Sequence, residues 1–149
     1  MTETATVPVL INYAEALRRL EAVADGRKDY VNAVRLADGT LSDCTNLKRA
    51  EDGSIVGSCI VGSAFAAELI EAGVTPEMRV NSGGVYAMLT DGLPGRVEVT
   101  AKAYQFLEAA QSAQDGGTAW GDAIEYAKGR VEDDYDDADD TVAADPDTV

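Results

Sequence analysis

The sequence contains no histidine, only two cysteines and no long apolar run. Without histidine the chain lacks the commonest general base and metal ligand, and two cysteines alone do not supply the four ligands of a typical structural zinc site. No apolar segment approaches the roughly 20 residues of a membrane-spanning helix, and no basic, then apolar, leader opens the chain. We therefore expect no metal, no cofactor, no signal peptide and no membrane contact.

Basic residues are also scarce. Twelve lysines and arginines stand against 27 acids, which gives a formal net charge of −15 at neutral pH. This charge argues against binding to nucleic-acid phosphates or anionic lipids. It is unevenly spread, because nine acids and no base fall between residues 132 and 149, which leaves 18 acids against 12 bases over residues 1–131.

The acidic C-terminal stretch, residues 132–149, has one aromatic residue and little else to bury. Apolar burial cannot offset the entropy of ordering such a stretch, so we predict that it is disordered. It would act either as a solubilising tail or as an interaction tail for a basic surface. The predicted organisation is a flexible N-terminus (residues 1–9), a globular domain (residues 10–131) and a disordered acidic tail (residues 132–149).

Apolar residues at helical spacing predict about four helices. The first begins at Asn12, an N-cap with Glu15 at capping-box spacing, and ends at Gly26. Residues 58–72 are the most apolar segment and predict one helix, closed by Gly73. Inside it, Gly62 costs about 1 kcal/mol relative to alanine, which is tolerable where another backbone or ring packs closely. The expected N-caps of the last two helices are Thr100 and Thr118.

Two β-rich stretches flank an Asp38-Gly39 turn and predict a hairpin over residues 30–47. Residues 49–57 are polar and contain glycine, so they are interpreted as a loop. Val97-Glu98-Val99 is a candidate short strand, and residues 81–96 carry no assignable pattern. The predicted fold class is α+β, with about four helices packed with one β-hairpin in a single small domain.

The two thiols, Cys44 and Cys59, fall on the predicted second strand and at the start of the apolar helix. Buried free thiols are the favoured state, while a disulfide and a reactive nucleophile stay open. A helix N-terminus would lower the pKa of the Cys59 thiol, yet no histidine completes a Cys–His pair. We therefore expect structural roles for Cys44, Cys59 and Gly62.

No catalytic constellation is evident elsewhere. Glu68 with Glu71, and Asp122 with Glu125, are carboxylate pairs at helical spacing that are interpreted as solvated helix faces. Trp120 is interpreted as a structural core residue. The candidate partner-binding residues are one tyrosine in the unassigned stretch and six acidic-tail aspartates: Tyr86, Asp133, Asp134, Asp136, Asp137, Asp139 and Asp140.

Three features together resemble a family of small proteins encoded by phages of actinobacteria and their prophages. The first is Cys44 followed by Cys-Ile-Val-Gly at residues 59–62, and the second is Asn81 after the next helix end. The third is the stretch from Ala110 to Ala127, with its Gln-Asp-Gly and Trp-Gly-Asp-Ala steps. The resemblance spans residues 10–128. It implies an accessory protein made in the host's reducing cytoplasm, where free thiols are favoured.

Two functional hypotheses follow. The first is a non-enzymatic phage accessory protein that binds a host or phage protein in the bacterial cytoplasm, without direct contact to nucleic acid or membrane. The second is an acidic DNA mimic that inhibits a host nuclease or another DNA-binding defence protein, because carboxylates can imitate the spacing of phosphates. A disordered tail weakens the second hypothesis, since a mimic needs its charges on a fixed surface. An enzyme is the least favoured class, and the oligomeric state stays open.

Overall fold

The computed structural model describes residues 9–31, 46–78, 84–88, 94 and 97–144. These residues form a single small α+β domain, which confirms the predicted fold class. The elements in chain order are β1 (Val9–Ile11), α1 (Tyr13–Ala24), β2 (Leu47–Arg49), β3 (Ile55–Gly57), α2 (Ile60–Ala64), α3 (Ala66–Glu71), α4 (Gly84–Ala87), β4 (Val97–Val99), α5 (Ala101–Asp115), α6 (Trp120–Asp134) and a 3₁₀ helix (Asp137–Asp140).

The strands form two separate pairs. β1 and β4 run parallel, with Val9 opposite Val97, and the Thr100 N–H extends the ladder by donating to the Ile11 carbonyl at 2.9 Å. In β4 the two valines are buried and Glu98 is exposed, which is the alternation of a strand with one face on the core. The candidate strand at residues 97–99 is thus confirmed.

The second pair corrects the sequence analysis. Residues 49–57, interpreted as a loop, hold most of an antiparallel hairpin in which Leu47 lies opposite Gly57. Asp52 shapes its turn, because its Oδ1 accepts from the Ser54 N–H at 2.9 Å and the Ser54 hydroxyl at 2.6 Å. Short strands around a polar turn do not show clear alternation, so the pattern resembles a loop. The hairpin predicted over residues 30–47 falls mainly on residues 32–45, which lie outside the described residues.

The first helix, α1, begins as predicted. The Asn12 side chain accepts from the Glu15 N–H at 2.9 Å, and Gly26 follows the helix with φ of +73°. The capping-box partner behaves differently, because the Glu15 carboxylate accepts from Arg18 and Arg19 side chains at 2.6–2.9 Å. Charge-assisted bonds to two guanidinium groups compete with a single bond back to the helix start.

The apolar segment predicted as one helix is broken in two. Phe65, with φ −116° and ψ 14°, ends α2 and precedes α3. The turn places the Phe65 ring fully inside the core, and the Arg19 guanidinium lies 4.8 Å from its centroid. Gly73 closes α3 with φ of +88°, as expected for a left-handed C′ residue.

The last helix begins at Trp120 rather than at a Thr118 cap. Ala119 is the N-cap and makes no side-chain cap bond. Thr118 instead closes α5, where its N–H donates to the Ala113 carbonyl at 3.1 Å after Gly117. The loop after α1 supplies acceptors for the start of α6, because the Trp120 N–H donates to Tyr30 O at 3.0 Å and the Gly121 N–H to Lys28 O at 2.9 Å.

The prediction of disorder from residue 132 does not hold for residues 132–144. α6 continues through Asp134, the 3₁₀ helix follows, and Thr100 forms an antiparallel bridge with Ala143. Disorder was predicted because the segment has few apolar residues to bury. In the structure these residues are ordered by hydrogen bonds to the helical body instead. Residues 145–149 of the predicted tail lie outside the described residues.

The core lies between α1, α2, α5 and α6. Its largest fully buried side chains include Trp120, Phe65, Phe106 and Leu20. Trp120 meets Tyr30 edge-on, with ring centroids 4.8 Å apart, and the Arg27 guanidinium lies 4.6 Å from its ring centroid. Among the helices described, none is long and apolar enough to cross a membrane.

Candidate functional site

Cys59 is fully buried at the N-cap of α2. Its Sγ donates to Asn46 Oδ1 at 3.2 Å and accepts from the Gly62 N–H at 3.4 Å. Burial raises the pKa of this thiol to about 11, and this effect outweighs the Gly62 N–H, which lowers the pKa. The helix N-terminus thus lowers this pKa as expected, through the Gly62 N–H, but burial makes the net shift upward. Cys44 lies outside the described residues.

The thiol lies beside a polar cluster that sequence reasoning missed, formed by the buried Gln111 and Gln114 and the exposed Asp115. Gln114 Oε1 accepts from the Ile60 N–H at 2.7 Å, which ties α5 to the first turn of α2. Gln111 and Gln114 both donate to Asp115 Oδ1, at 3.0 and 2.8 Å. Two glutamines among the mainly apolar buried positions of α5 were the available signal. The cluster joins two elements, and the buried, protonated thiol beside it is unsuited to nucleophilic attack at neutral pH.

The two carboxylate pairs differ in their surroundings. Glu68 is half-buried and accepts from Arg19 Nη1 at 2.9 Å, so it joins α3 to α1 rather than facing solvent. Asp122 and Glu125 are exposed and line an open cavity of about 590 Å³ between α1 and α6. Within the described ranges, no three or more cysteine, aspartate or glutamate side chains are grouped to hold a metal ion.

The most strongly charged surface lies where α6 ends. We call it the acidic face and define it as Glu132, Asp133, Asp134, Asp136, Asp137 and Asp139. With Lys102 and Tyr135 these residues line an open cavity of about 430 Å³. Lys102 is the one cation among the described residues that line it. The structure therefore gathers five of the six predicted aspartates on one surface, and Asp140 follows directly along the chain.

Hydrogen bonds hold the acidic face in place. Asp136 and Asp139 form a capping box around the 3₁₀ helix, in which the Asp136 N–H donates to Asp139 Oδ2 at 3.0 Å and Asp136 Oδ1 accepts from the Asp139 N–H at 3.2 Å. The Tyr13 hydroxyl donates to Glu132 Oε2 at 2.6 Å. Burial, and then this bond to Glu132, raise the pKa of Tyr13, so its hydroxyl stays a donor.

Asp140 fastens the end of the 3₁₀ helix to the body. Its Oδ1 accepts from the Tyr13 N–H at 2.7 Å and from the Thr100 hydroxyl at 2.8 Å. It therefore acts as a structural anchor, while Asp133, Asp134 and Asp137 extend from the surface as exposed carboxylates. Tyr86 lies within α4, and its side chain is outside the described part of the structure.

The acidic face is electrostatically unfavourable for the fold that carries it. Glu132, Asp133 and Asp134 occupy the last turn of α6, which contains no base. The C-terminal end of a helix carries partial negative charge and favours cations, so three carboxylates there oppose the helix dipole and repel one another. This arrangement is suited to a positively charged partner, which would relieve both effects.

Comparisons of the chain with protein-family models, curated proteins and solved structures gave no match.

Proposed function

We propose that the protein is a non-enzymatic bacteriophage accessory protein that binds a basic surface of a host or phage protein through the acidic face. The observation that carries this proposal is that seven acidic residues among the nine positions from Glu132 to Asp140 are ordered against the body rather than free in solution. Fixed carboxylates meet a basic partner without first losing the entropy of a free tail. The phage origin is supported by the resemblance over residues 10–128.

A solubilising role alone does not need this order. A flexible acidic tail solubilises a protein without loading the end of a helix with like charge. Here the charges are held by the capping box of Asp136 and Asp139 and by the two bonds to Asp140. The non-enzymatic assignment is supported by the burial and raised pKa of Cys59.

A DNA mimic is the second candidate, and the ordered acidic face favours it. The sequence predicts a disordered acidic tail, which would weaken this candidate. In the structure, Glu132, Asp133 and Asp134 lie on a helix and Asp137, Asp139 and Asp140 on a 3₁₀ helix. A fixed array of carboxylates is what imitation of a phosphate backbone requires. The mimic is a specific form of the first proposal, in which the basic partner is a DNA-binding protein.

Neutralisation of the acidic face tests the proposal. Asp133, Asp134 and Asp137 are replaced by asparagine in one variant, and a matched variant carries Asp25→Asn, Asp29→Asn and Glu51→Gln, which remove three exposed carboxylates elsewhere. Both variants and the unmodified protein are used for affinity capture from an actinobacterial lysate. We expect a protein retained by the unmodified chain and the control to be lost from the acidic-face variant.

Salt and competing DNA then separate the two candidates. Binding through exposed carboxylates weakens as salt screens the charges. If the captured protein is displaced by duplex DNA, the partner uses its DNA-binding surface and the mimic is supported. Equal retention by the acidic-face variant and by the control variant would contradict both candidates.

A further inference from the structure

The last described segment, residues 136–144, crosses the body as a strap. One carboxylate oxygen, Asp140 Oδ1, joins it to the starts of two helices, because Tyr13 is the first residue of α1 and Thr100 is the N-cap of α5. Its far end lies along β4. The Ala101 N–H donates to Val142 O at 3.0 Å, and the Ala144 N–H donates to Val99 O at 2.6 Å. The strap thus pairs with the C-terminal end of β4, at Val99, and with the start of α5.

Apolar packing contributes little to this contact. The 3₁₀ helix buries no residue, and Val142 is 56% exposed. Tyr135 and Ala144, at the two ends, are partly buried against the core. The strap therefore depends on a few hydrogen bonds, and segments of this kind open at a small fraction of the free energy of global unfolding.

Electrostatics opposes the closed strap. It carries Asp136, Asp137, Asp139 and Asp140 without a base, and it lies beside the three carboxylates that end α6. Repulsion between these groups favours detachment, and a nearby cationic surface cancels it. The balance between repulsion and the Asp140 bonds is therefore sensitive to ionic strength and to a basic ligand.

We infer that the strap is a latch, which opens and closes as a unit while the helical body stays folded, and that a cationic surface on the acidic face closes it. Opening frees the C-terminal end of β4 and removes three of the six carboxylates, Asp136, Asp137 and Asp139, from the acidic face. The fraction of closed molecules then sets the apparent affinity for a basic partner, which weakens in proportion as that fraction falls. The coupling to a partner rests on the proposed function, whereas the latch itself does not.

Amide hydrogen exchange on the full chain measures the latch directly. The amides of Tyr13, Ala101 and Ala144 donate the bonds that form only when the strap is closed. We expect these three to exchange together and much faster than buried amides of α5 such as Phe106 and Leu107. Raising NaCl from about 0.01 M to about 0.15 M shortens the screening length from about 30 to about 8 Å and slows their exchange several-fold. Poly-L-lysine at low salt slows it as well.

Two aspartate-to-alanine variants isolate the fastening residue. Asp140→Ala and Asp137→Ala each remove one charge from the same 3₁₀ helix, but only Asp140 bonds to the body. We expect Asp140→Ala to speed exchange of the three amides at least about tenfold and to leave α5 unchanged. Asp137→Ala leaves their exchange equal or slower, because it only relieves repulsion.

Exchange of the three amides at the rate of the α5 core would overturn the latch, because the strap would then open only with the whole protein. Equal acceleration in the two variants would overturn the role of Asp140. A salt response without a response to poly-L-lysine would overturn the coupling and keep the latch. The capture experiment with the acidic-face variant tests the proposed function, whereas amide exchange tests the latch. Failure of one proposal is therefore distinguishable from failure of the other.

Discussion

Gly62 has only a hydrogen atom as its side chain, and this allows two parts of the backbone to pack closely. A Cβ at this position would overlap the carbonyl oxygen of Asn46, which is backbone. The close approach lets the residue just before β2, Asn46, lie against α2 and reach the Cys59 thiol. The sequence shows that this glycine lowers the helix propensity of the segment. The structure shows that it also permits a close backbone contact with Asn46, which the sequence alone does not specify.

We predict that Gly62→Ala lowers the free energy of unfolding by about 1–3 kcal/mol, because the backbone of Asn46 has to move. Gly129→Ala is the matched control in α6, where a Cβ meets nothing within 4 Å. That change should raise the free energy of unfolding by about 0.5–1 kcal/mol through helix propensity. Urea titration measures both. A stability loss at Gly62 no larger than the effect of the control would contradict the packing argument.

The Cys59 thiol should make stability depend on alkaline pH. Its pKa is about 11 in the folded protein against an ordinary value of 9.0, so the folded state holds the proton more tightly. The contribution is complete below about pH 9 and is lost as the pH rises toward 11. At about 1.4 kcal/mol per pKa unit this amounts to roughly 2–3 kcal/mol.

Cys59→Ser tests this dependence, because a serine keeps an N-cap acceptor for the Gly62 N–H and does not titrate in that range. We expect the difference in free energy of unfolding between the variant and the original chain to shift in favour of the variant between pH 9 and 11. Parallel pH profiles for the two proteins would show that the thiol does not titrate with unfolding.

At the scale of elements, helix starts show what local sequence determines. Asn12 and Thr100 cap their helices as predicted, accepting from the N–H groups of Glu15 and Ala103. Thr118 has the same local chemistry and does not cap α6. Its N–H closes α5, and carbonyls of residues 28 and 30 pair with the first amides of α6. A side-chain N-cap depends on neighbouring residues only, but here backbone carbonyls from a distant part of the chain accept from the first amides of α6 instead. A short window of sequence does not contain those distant acceptors.

The end of α6 gives a prediction at the scale of elements. Asp133 and Asp134 lie at the negative end of the helix dipole. Replacing both with asparagine should raise the free energy of unfolding by roughly 0.3–1 kcal/mol per residue at low salt, and the gain should shrink as salt screens it. Thermal unfolding at two salt concentrations measures this.

Asp122→Asn is the control for that pair, because Asp122 is an acid in the first turn of the same helix. There the carboxylate faces the positive end of the dipole, so its loss should lower the melting temperature. If both changes shift the melting temperature in the same direction, net charge rather than helix position governs the effect. An acidic face that lowers stability fits a surface kept for binding.

At the scale of the whole molecule, the charge of −15 first divides into a mildly acidic body and an acidic C-terminal stretch. That division is visible in the sequence, and so is the α+β class. The docking of the stretch is not, because it depends on pairings such as that of Asp140 with Tyr13, 127 positions apart. Composition measures what a segment can bury, whereas it does not record which distant N–H groups need an acceptor.

Truncation after Tyr135 separates the body from the strap and everything beyond it. The shortened chain keeps 21 acids and 12 bases, a net charge of −9, and it keeps the core residues of α1, α5 and α6. We expect it to fold with unchanged helical circular dichroism apart from the lost turn. Its free energy of unfolding should fall by less than about 2 kcal/mol, because a few exposed hydrogen bonds of about 1 kcal/mol each are offset by relieved repulsion.

Its melting temperature should also respond less to salt than that of the full chain, because six carboxylates are removed. The matched comparison is the full chain with Asp140→Ala, which detaches the strap and keeps the remaining charge. If truncation unfolds the body or costs more than about 4 kcal/mol, the strap is an integral layer of the domain. A small loss in free energy of unfolding, together with a weaker response to salt, would show that the body is stable alone. The acidic segment would then be held against the body by hydrogen bonds that slightly outweigh charge repulsion, and not by apolar burial.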